Sequence, residues 1–207
     1  LRGNLFDFAI MKASVVTDDF RRRYLCAAGY ENVFEGRAIV FEGAEDYRAR
    51  INDPSLGIDE RCVLVIRGAG PLGWPGSAEV VNMQPPDALL KCGIASLPTI
   101  GDGRQSGTSD SPSILNASPE SAAGGGLAWL RTGDTIRIDL NAARCDMLVS
   151  EAEIERRKAA GVPPTPESAT PWQELYRATV SQLDRGGVME MALKYRRVSA
   201  KTPRHNH

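Results

Sequence analysis

Short apolar runs of strand length alternate with polar turns along most of this chain. Residues 8–16 are apolar and β-branched enough for one strand, and Arg37-Ala38-Ile39-Val40-Phe41 for another. Residues 24–34 between them fit neither periodicity cleanly. Residues 45–51 have helical spacing, with Tyr47 and Ile51 four apart. Cys62-Val63-Leu64-Val65-Ile66 is a continuous apolar run flanked by turn residues, which predicts a strand buried on both faces and, after it, a loop over residues 68–76.

Pro85-Pro86-Asp87 opens a short predicted helix through Lys91 that Gly93 closes, and residues 96–100 read as the next strand. Ser118-Pro119-Glu120-Ser121 has the order of a helix start, stopped within two turns by Gly124-Gly125-Gly126. Residues 127–130, 135–140 and 144–149 read as three strands of a meander, the middle one alternating through Ile136, Ile138 and Leu140. Ser150 and Glu153 form a capping-box pattern for a helix to Ala160, which Gly161 and Pro163, Pro164 and Pro166 end. Beyond this stiff linker, Trp172, Leu175, Tyr176, Thr179 and Leu183 share one helical face, a second short helix covers residues 188–194, and residues 196–207 read as a polar tail.

Single strands among helices, followed by a meander, make no clean series of β-α-β units. The order predicts a β-rich α/β fold, a barrel or sandwich with helices packed outside. Residues 1–160 form the expected body of the domain. Residues 161–207 are the linker, a helical extension and a tail packed on the same domain.

Composition narrows the function classes. The 207 residues are 42% hydrophobic and 25% charged, enough for one core. A formal net charge of -1 and a pI near 6.2, from interspersed acids and bases, leave no basic field for neutralising phosphates, so nucleic acid is not an expected partner. No window approaches the roughly 20 apolar residues of a membrane span, and Leu1-Arg2-Gly3-Asn4 lacks the features of a signal peptide; the expectation is a cytoplasmic protein without membrane contact. A start on Leu1 rather than methionine suggests a fragment of something longer, although a trimmed chain would look the same. Cys26, Cys62, Cys92 and Cys145 are far apart, with no Cys-x-x-Cys pair, and read as reduced thiols, Cys62 and Cys92 being expected in the interior.

Two glycine-rich stretches could carry chemistry. Gly68-Ala69-Gly70-Pro71-Leu72-Gly73 satisfies the dinucleotide pattern G-x-G-x-x-G after a strand. That pattern needs a helix whose amides face pyrophosphate, and Pro71, Gly73, Pro75 and Gly76 forbid one. Ile100-Gly101-Asp102-Gly103-Arg104-Gln105-Ser106-Gly107-Thr108 lacks the lysine of a P-loop and the glycine two before the serine of a nucleophile elbow. What remains is Ser106 at a strand end with Arg104, Thr108 and Asp110 beside it. From the residues alone this is either an anion-facing turn or, the reading they favour, a turn with capping hydroxyls. Glu79 sits in another loop that leaves a buried strand; if the two strands are neighbours, a carboxylate and a serine meet at one end of the sheet. Taken alone, a loop carboxylate is usually just solvated. His205 and His207 are the only histidines, and a Ser-His-Asp triad would require the tail to fold back.

The stretch from Gly101 to Gly107 resembles the Asp-Gly-Arg-Phe-Ser-Gly signature of the dihydroxy-acid and phosphogluconate dehydratases. Gly3-Asn4-Leu5, residues 33–41, Val65-Ile66-Arg67-Gly68, residues 73–79, Ser118-Pro119-Glu120 and Gly133-Asp134-Thr135-Ile136 resemble that family in the same order, over at least residues 3–155. Gln105 and Ala78-Glu79-Val80 look like the sugar-acid branch, with its arabinonate and xylonate dehydratases. The branched-chain biosynthetic branch has Phe and Pro-Glu-Met at these places.

The resemblance implies a β-barrel-like swivelling C-terminal domain with flanking helices, which in the family works beside a larger N-terminal domain that holds an iron-sulfur cluster and most of a magnesium site. None of the four cysteines here falls in a cluster motif. The family's reaction removes the C2 proton and C3 hydroxyl of a 2,3-dihydroxy acid, and the enol tautomerises to a 2-keto-3-deoxy acid. By the resemblance, Glu79 is a magnesium ligand and Ser106 the proton acceptor, acting as an alkoxide that needs cationic charge and amide donors around it. Thr108 binds the substrate or the serine, His207 reaches the site from the C-terminus, and Asp102 or Arg104 orders the loop. The expected partners are a sugar acid, the missing N-terminal domain and, at full length, further copies of the same chain. Alone, the chain is expected to be inactive. The alternatives are a dihydroxy-acid dehydratase of branched-chain synthesis, or a stand-alone module for binding or oligomerisation in which the same residues are structural.

Overall fold

The computed structural model describes residues 1–104 and 112–197. Seven strands, β1 (Phe8–Met11), β2 (Val33–Glu42), β3 (Cys62–Arg67), β4 (Thr99–Gly101), β5 (Ile114–Ser118), β6 (Thr135–Asp139) and β7 (Arg144–Met147), form one curled sheet in the order β1-β5-β4-β3-β2-β6-β7. Among the described residues five α-helices accompany it: α1 (Asp18–Tyr24), α2 (Gly43–Arg50), α3 (Asp87–Lys91), α4 (Glu151–Ala159) and α5 (Pro171–Thr179). The β-rich, barrel-like α/β architecture expected from the sequence is the one observed. The pattern concealed that β2, β3, β4 and β5 are mutually parallel, while β1, β6 and β7 run antiparallel to their neighbours.

Alternation along the central strands divides the core into two faces. Ala38, Val40, Val63, Val65 and Ile100 join Ile136, Ile138, Cys145 and Met147 on one side. Ile39, Phe41, Cys62, Leu64 and Ile66 point to the other, beneath Phe20 and Tyr24 of α1. Cys62 to Ile66 is buried throughout, as its unbroken apolar run requires.

The first residues close the curl. Arg2 exchanges hydrogen bonds with the β7 side of the sheet, its amide donating to the Ala143 carbonyl at 3.0 Å and its carbonyl accepting from the Cys145 amide at 2.9 Å. The Asn4 side chain does the same for Met147, accepting from its amide at 2.7 Å and donating to its carbonyl at 2.9 Å. A few residues later Phe8 pairs with Ser118, so one short segment bridges β7 and β5.

Several expected elements differ. Residues 8–16 are not one strand: β1 ends at Met11, and Thr17, whose hydroxyl accepts from the Phe20 amide at 3.2 Å, caps α1. Asp18 and Asp19 in its first turn and Arg21 to Arg23 in its last complement the helix dipole, and the 3-10 turn Ala13–Val15 takes the rest of the expected strand. Ser118 ends a strand rather than capping a helix, and only the 3-10 turn Ser121–Ala123 follows. Residues 127–130 form no strand. The 3-10 turn Gly126–Ala128 lies there, and Arg67 Nη1 donates to the carbonyls of Leu127, Ala128 and Leu130 at 2.9, 3.0 and 2.9 Å, doing what a neighbouring strand would have done. Cys92, expected inside, is exposed; Cys62 and Cys145 are buried.

The capping expectation for α4 holds in one direction: Ser150 Oγ accepts from the Glu153 amide at 3.3 Å, while the Glu153 carboxylate pairs with Arg156 and Arg157 instead of reaching back. Arg157 is buried and fixes α4 to the sheet through Asp134 and the Trp129 carbonyl. After the prolines, α5 buries none of its residues. Trp172 is 78% exposed. No helix among the described residues is long and apolar enough to cross a membrane.

Candidate active site at the carboxyl ends of two strands

Strands β3 and β4 lie side by side, with Ile66 opposite Gly101, and both loops singled out in the sequence leave from their carboxyl ends. In open parallel arrangements this is where ligands bind. Ser106, Thr108, Asp110, His205 and His207 lie outside the described residues. The roots of the Ser106 stretch do not, and they meet the loop bearing Glu79.

Glu79 forms an isolated parallel bridge with Arg104, two residues before Ser106 in the sequence. The Arg104 amide donates to the Ala78 carbonyl at 3.1 Å, its carbonyl accepts from the Val81 amide at 3.4 Å, and its Nε donates to the Ser77 carbonyl at 2.8 Å. Gly103 makes this approach possible, because a Cβ there would stand 2.9 Å from the Ala78 carbonyl oxygen. The Arg104 guanidinium then stands 3.4 Å from the Glu79 carboxylate, and both side chains remain about half exposed, at 47% and 46%. A carboxylate and a fixed cation are therefore brought together at this end of the sheet.

Asp102 has the opposite environment. It is fully buried and accepts from the Gly68 amide at 3.1 Å, the Ala69 amide at 2.9 Å, the Ser121 amide at 2.9 Å and the Ser121 hydroxyl at 2.7 Å. Glu120, also fully buried, accepts from the Leu72 and Gly73 amides at 2.9 Å each and from Gln182 Nε2 at 2.7 Å. Burial pushes the Glu120 carboxyl above its ordinary range, against the pull of those amides. The amides of the dinucleotide-like loop thus face two carboxylates of the protein itself and no helix opens from it, in agreement with the rejection of that motif. Gly70 allows Glu120 to enter, since a Cβ there would lie 2.5 Å from its Oε2.

Sequence reasoning named Asp102 or Arg104 as ordering the Ser106 stretch, most of which lies outside the described residues; the described bonds of Asp102 run to the loop after β3 and to Ser121. Sequence reasoning missed Glu120, Ser121, Arg177 and Gln182. Glu120 carried a signal in the Ser118-Pro119-Glu120 block; Arg177 and Gln182 lie in an amphipathic stretch that drew notice only for its apolar face.

The donor chemistry decides which groups these residues could hold. Glu79 is a hard oxygen donor, open to solvent and engaged, among the described residues, by the Arg104 ion pair, and it fits one ligand position of a magnesium ion. No cluster of three or more His, Cys, Asp or Glu side chains suited to a metal exists among the described residues, so the remaining ligands would come from elsewhere. The cysteines do not fit an iron-sulfur cluster. Cys145 and Cys62 are buried in different hydrophobic clusters, where burial pushes both thiols upward, and Cys26 and Cys92 are separate surface residues.

Residues 1–187 match the family described as dihydroxy-acid/6-phosphogluconate dehydratase C-terminal. The chain is 73% identical, over its whole length, to 35% of a D-xylonate dehydratase of Caulobacter vibrioides. It is 38% identical to an L-arabinonate dehydratase of Rhizobium leguminosarum bv. trifolii, over 92% of the chain and 31% of that relative. A dihydroxy-acid dehydratase of Clostridium beijerinckii is 37% identical, over 92% of the chain and 32% of the relative. The chain thus spans about a third of the length of the relatives it matches, and its strongest similarity among these three is to a sugar-acid enzyme.

Proposed function

Because this chain belongs to the dihydroxy-acid/6-phosphogluconate dehydratase C-terminal family, we propose that it is the part of a sugar-acid dehydratase that supplies the proton acceptor and one magnesium ligand. The enzyme converts an aldonic acid, a 2,3-dihydroxy acid, into a 2-keto-3-deoxy acid. The observation that carries this reading is the pairing of the Glu79 loop with Arg104, directly before Gln105-Ser106. The 73% identity to a D-xylonate dehydratase supports the choice of a sugar acid.

In this reading Ser106 Oγ takes the C2 proton. A serine hydroxyl is a very weak acid, and the Arg104 guanidinium two residues away supplies cationic charge on the same stretch. Glu79 would hold one ligand position of a magnesium ion, which would supply Lewis acidity beside the substrate. Thr108 and His207 hold the substrate by hydrogen bonding. Asp102 and Glu120 do not react; they hold the start of the loop that leads to Glu79. Departure of the C3 hydroxyl would need an electrophile that the residues of this chain do not supply; an iron-sulfur cluster, if held by another segment, would supply Lewis acidity of that kind. The site is thus shared, and this chain alone does not turn over.

The complete polypeptide, supplied with magnesium, is expected to form a 2-keto-3-deoxy acid from aldonic acids faster than it dehydrates a branched-chain dihydroxy acid. The 207-residue chain by itself should form no product. The reverse preference would overturn the sugar-acid reading, and product from the isolated chain would overturn the shared site.

A further inference from the structure

We propose that residues 168–184 form a strap that positions the loop over residues 68–79, with Arg177 and Gln182 as positioning residues for Glu79. The proposal rests on the reading of Glu79 as a magnesium ligand. It concerns a segment beyond the proline linker to which neither the chemistry nor the barrel assigns a task.

The loop after β3 has no ladder of its own, so side chains must satisfy its backbone. From within, Asp102 takes the amides of Gly68 and Ala69, and Glu120 those of Leu72 and Gly73. From outside, Arg177 takes the carbonyls, its Nε donating to Leu72 at 2.8 Å and its Nη2 to Gly73 at 3.4 Å. Ser168 Oγ holds the same guanidinium at 2.8 Å. Both faces of one dipeptide are therefore gripped, amides by a carboxylate and carbonyls by a cation.

Gln182 ties the two grips together. Its Oε1 accepts from the Glu120 amide at 2.8 Å and its Nε2 donates to Glu120 Oε1 at 2.7 Å. Nearby, the Asp184 amide donates to Ser118 Oγ at 3.2 Å. These contacts run from the strap through Glu120 to the Leu72-Gly73 amides, six residues before Glu79.

The energetics of the segment point the same way. Neither α5 nor the 3-10 turn Leu183–Arg185 buries a residue, and Trp172 and Leu175 are exposed, so hydrophobic burial explains little of its attachment. Apart from bonds to the adjoining residues 185–188, the hydrogen bonds tying residues 168–184 to the rest of the described chain end at Leu72, Gly73, Ser118 and Glu120. A segment whose polar contacts converge on one loop while its apolar face stays outside is suited to holding that loop, and residues that orient a metal ligand typically change metal affinity 10–100-fold when removed.

The test uses the complete polypeptide carrying Arg177→Ala, Arg177→Lys, Gln182→Ala or, as a reference, Glu79→Gln. Two quantities are read: amide hydrogen exchange of the peptide over residues 68–79, and the magnesium concentration giving half-maximal binding, titrated with the metal alone. Arg177→Ala and Gln182→Ala should each speed exchange of that peptide about tenfold and raise half-saturating magnesium about tenfold, with exchange of β2 and β3 unchanged. Arg177→Lys, which keeps one donor, should recover part of both. Unchanged exchange and unchanged magnesium binding in both alanine variants would overturn the strap. So would faster exchange with magnesium binding intact while Glu79→Gln weakens it. If Glu79→Gln leaves magnesium binding untouched, the ligand reading falls, and the exchange data still decide whether the strap holds the loop.

Discussion

Asp102 and Glu79 are two carboxylates at the same end of the same sheet, and they could hardly be placed more differently. Asp102 is buried and accepts four hydrogen bonds, from three amides and one hydroxyl. Glu79 is about half exposed and has, among the described residues, one ion pair at 3.4 Å. A carboxylate whose lone pairs are spent on the fold has none to offer a metal or substrate, whereas an exposed and sparsely engaged one does. Burial and saturation therefore separate the residue that builds the site from the residue that can act in it.

Substitution can break this contrast. The largest effect is expected at Asp102: Asp102→Ala strands buried amides and the Ser121 hydroxyl, and should destabilise the protein by about 3 kcal/mol, read from urea unfolding. A loss below about 0.5 kcal/mol would mean that Asp102 is not the anchor described. Glu79→Gln should leave stability within about 0.5 kcal/mol while abolishing the dependence of turnover on magnesium; a large loss of stability would place Glu79 with the structural residues instead.

The smallest effect belongs to a third carboxylate, Glu153 on α4. Hydrogen bonds from Arg156 and Arg157 hold Glu153 down to about 2. Because its folded value lies below its unfolded one, its contribution is complete above the ordinary carboxylate range and is lost as pH falls from about 4.5 to about 2. Unfolding curves of the parent and Glu153→Gln should therefore differ at neutral pH and converge in acid. Curves separated by the same amount at both pH values would contradict this assignment.

The parts legible in the sequence were those set by local pattern. Cys62 to Ile66 reads as a strand because burial on both faces demands an unbroken apolar run, and Ser150 reads as a cap because its hydroxyl meets an amide three residues on. Strand β5 was missed because Ile114-Leu115-Asn116-Ala117-Ser118 neither alternates nor stays apolar. At the site, Glu79 and Ser106 came from a glycine-rich stretch and a family resemblance. The carboxylate clamps stayed hidden because their partners are remote: Ala69 meets Asp102 across 33 residues, and Glu120 meets Gln182 across 62. No periodicity records such contacts.

The central claim is that this chain supplies the group that removes the C2 proton. It is tested most directly by following exchange of the C2 hydrogen of an aldonic acid in deuterated water with the complete polypeptide and its Ser106→Ala variant. The account predicts that exchange and dehydration fall together by about a thousandfold, with magnesium binding and unfolding unchanged. Exchange at the parent rate in the Ser106→Ala variant would contradict it.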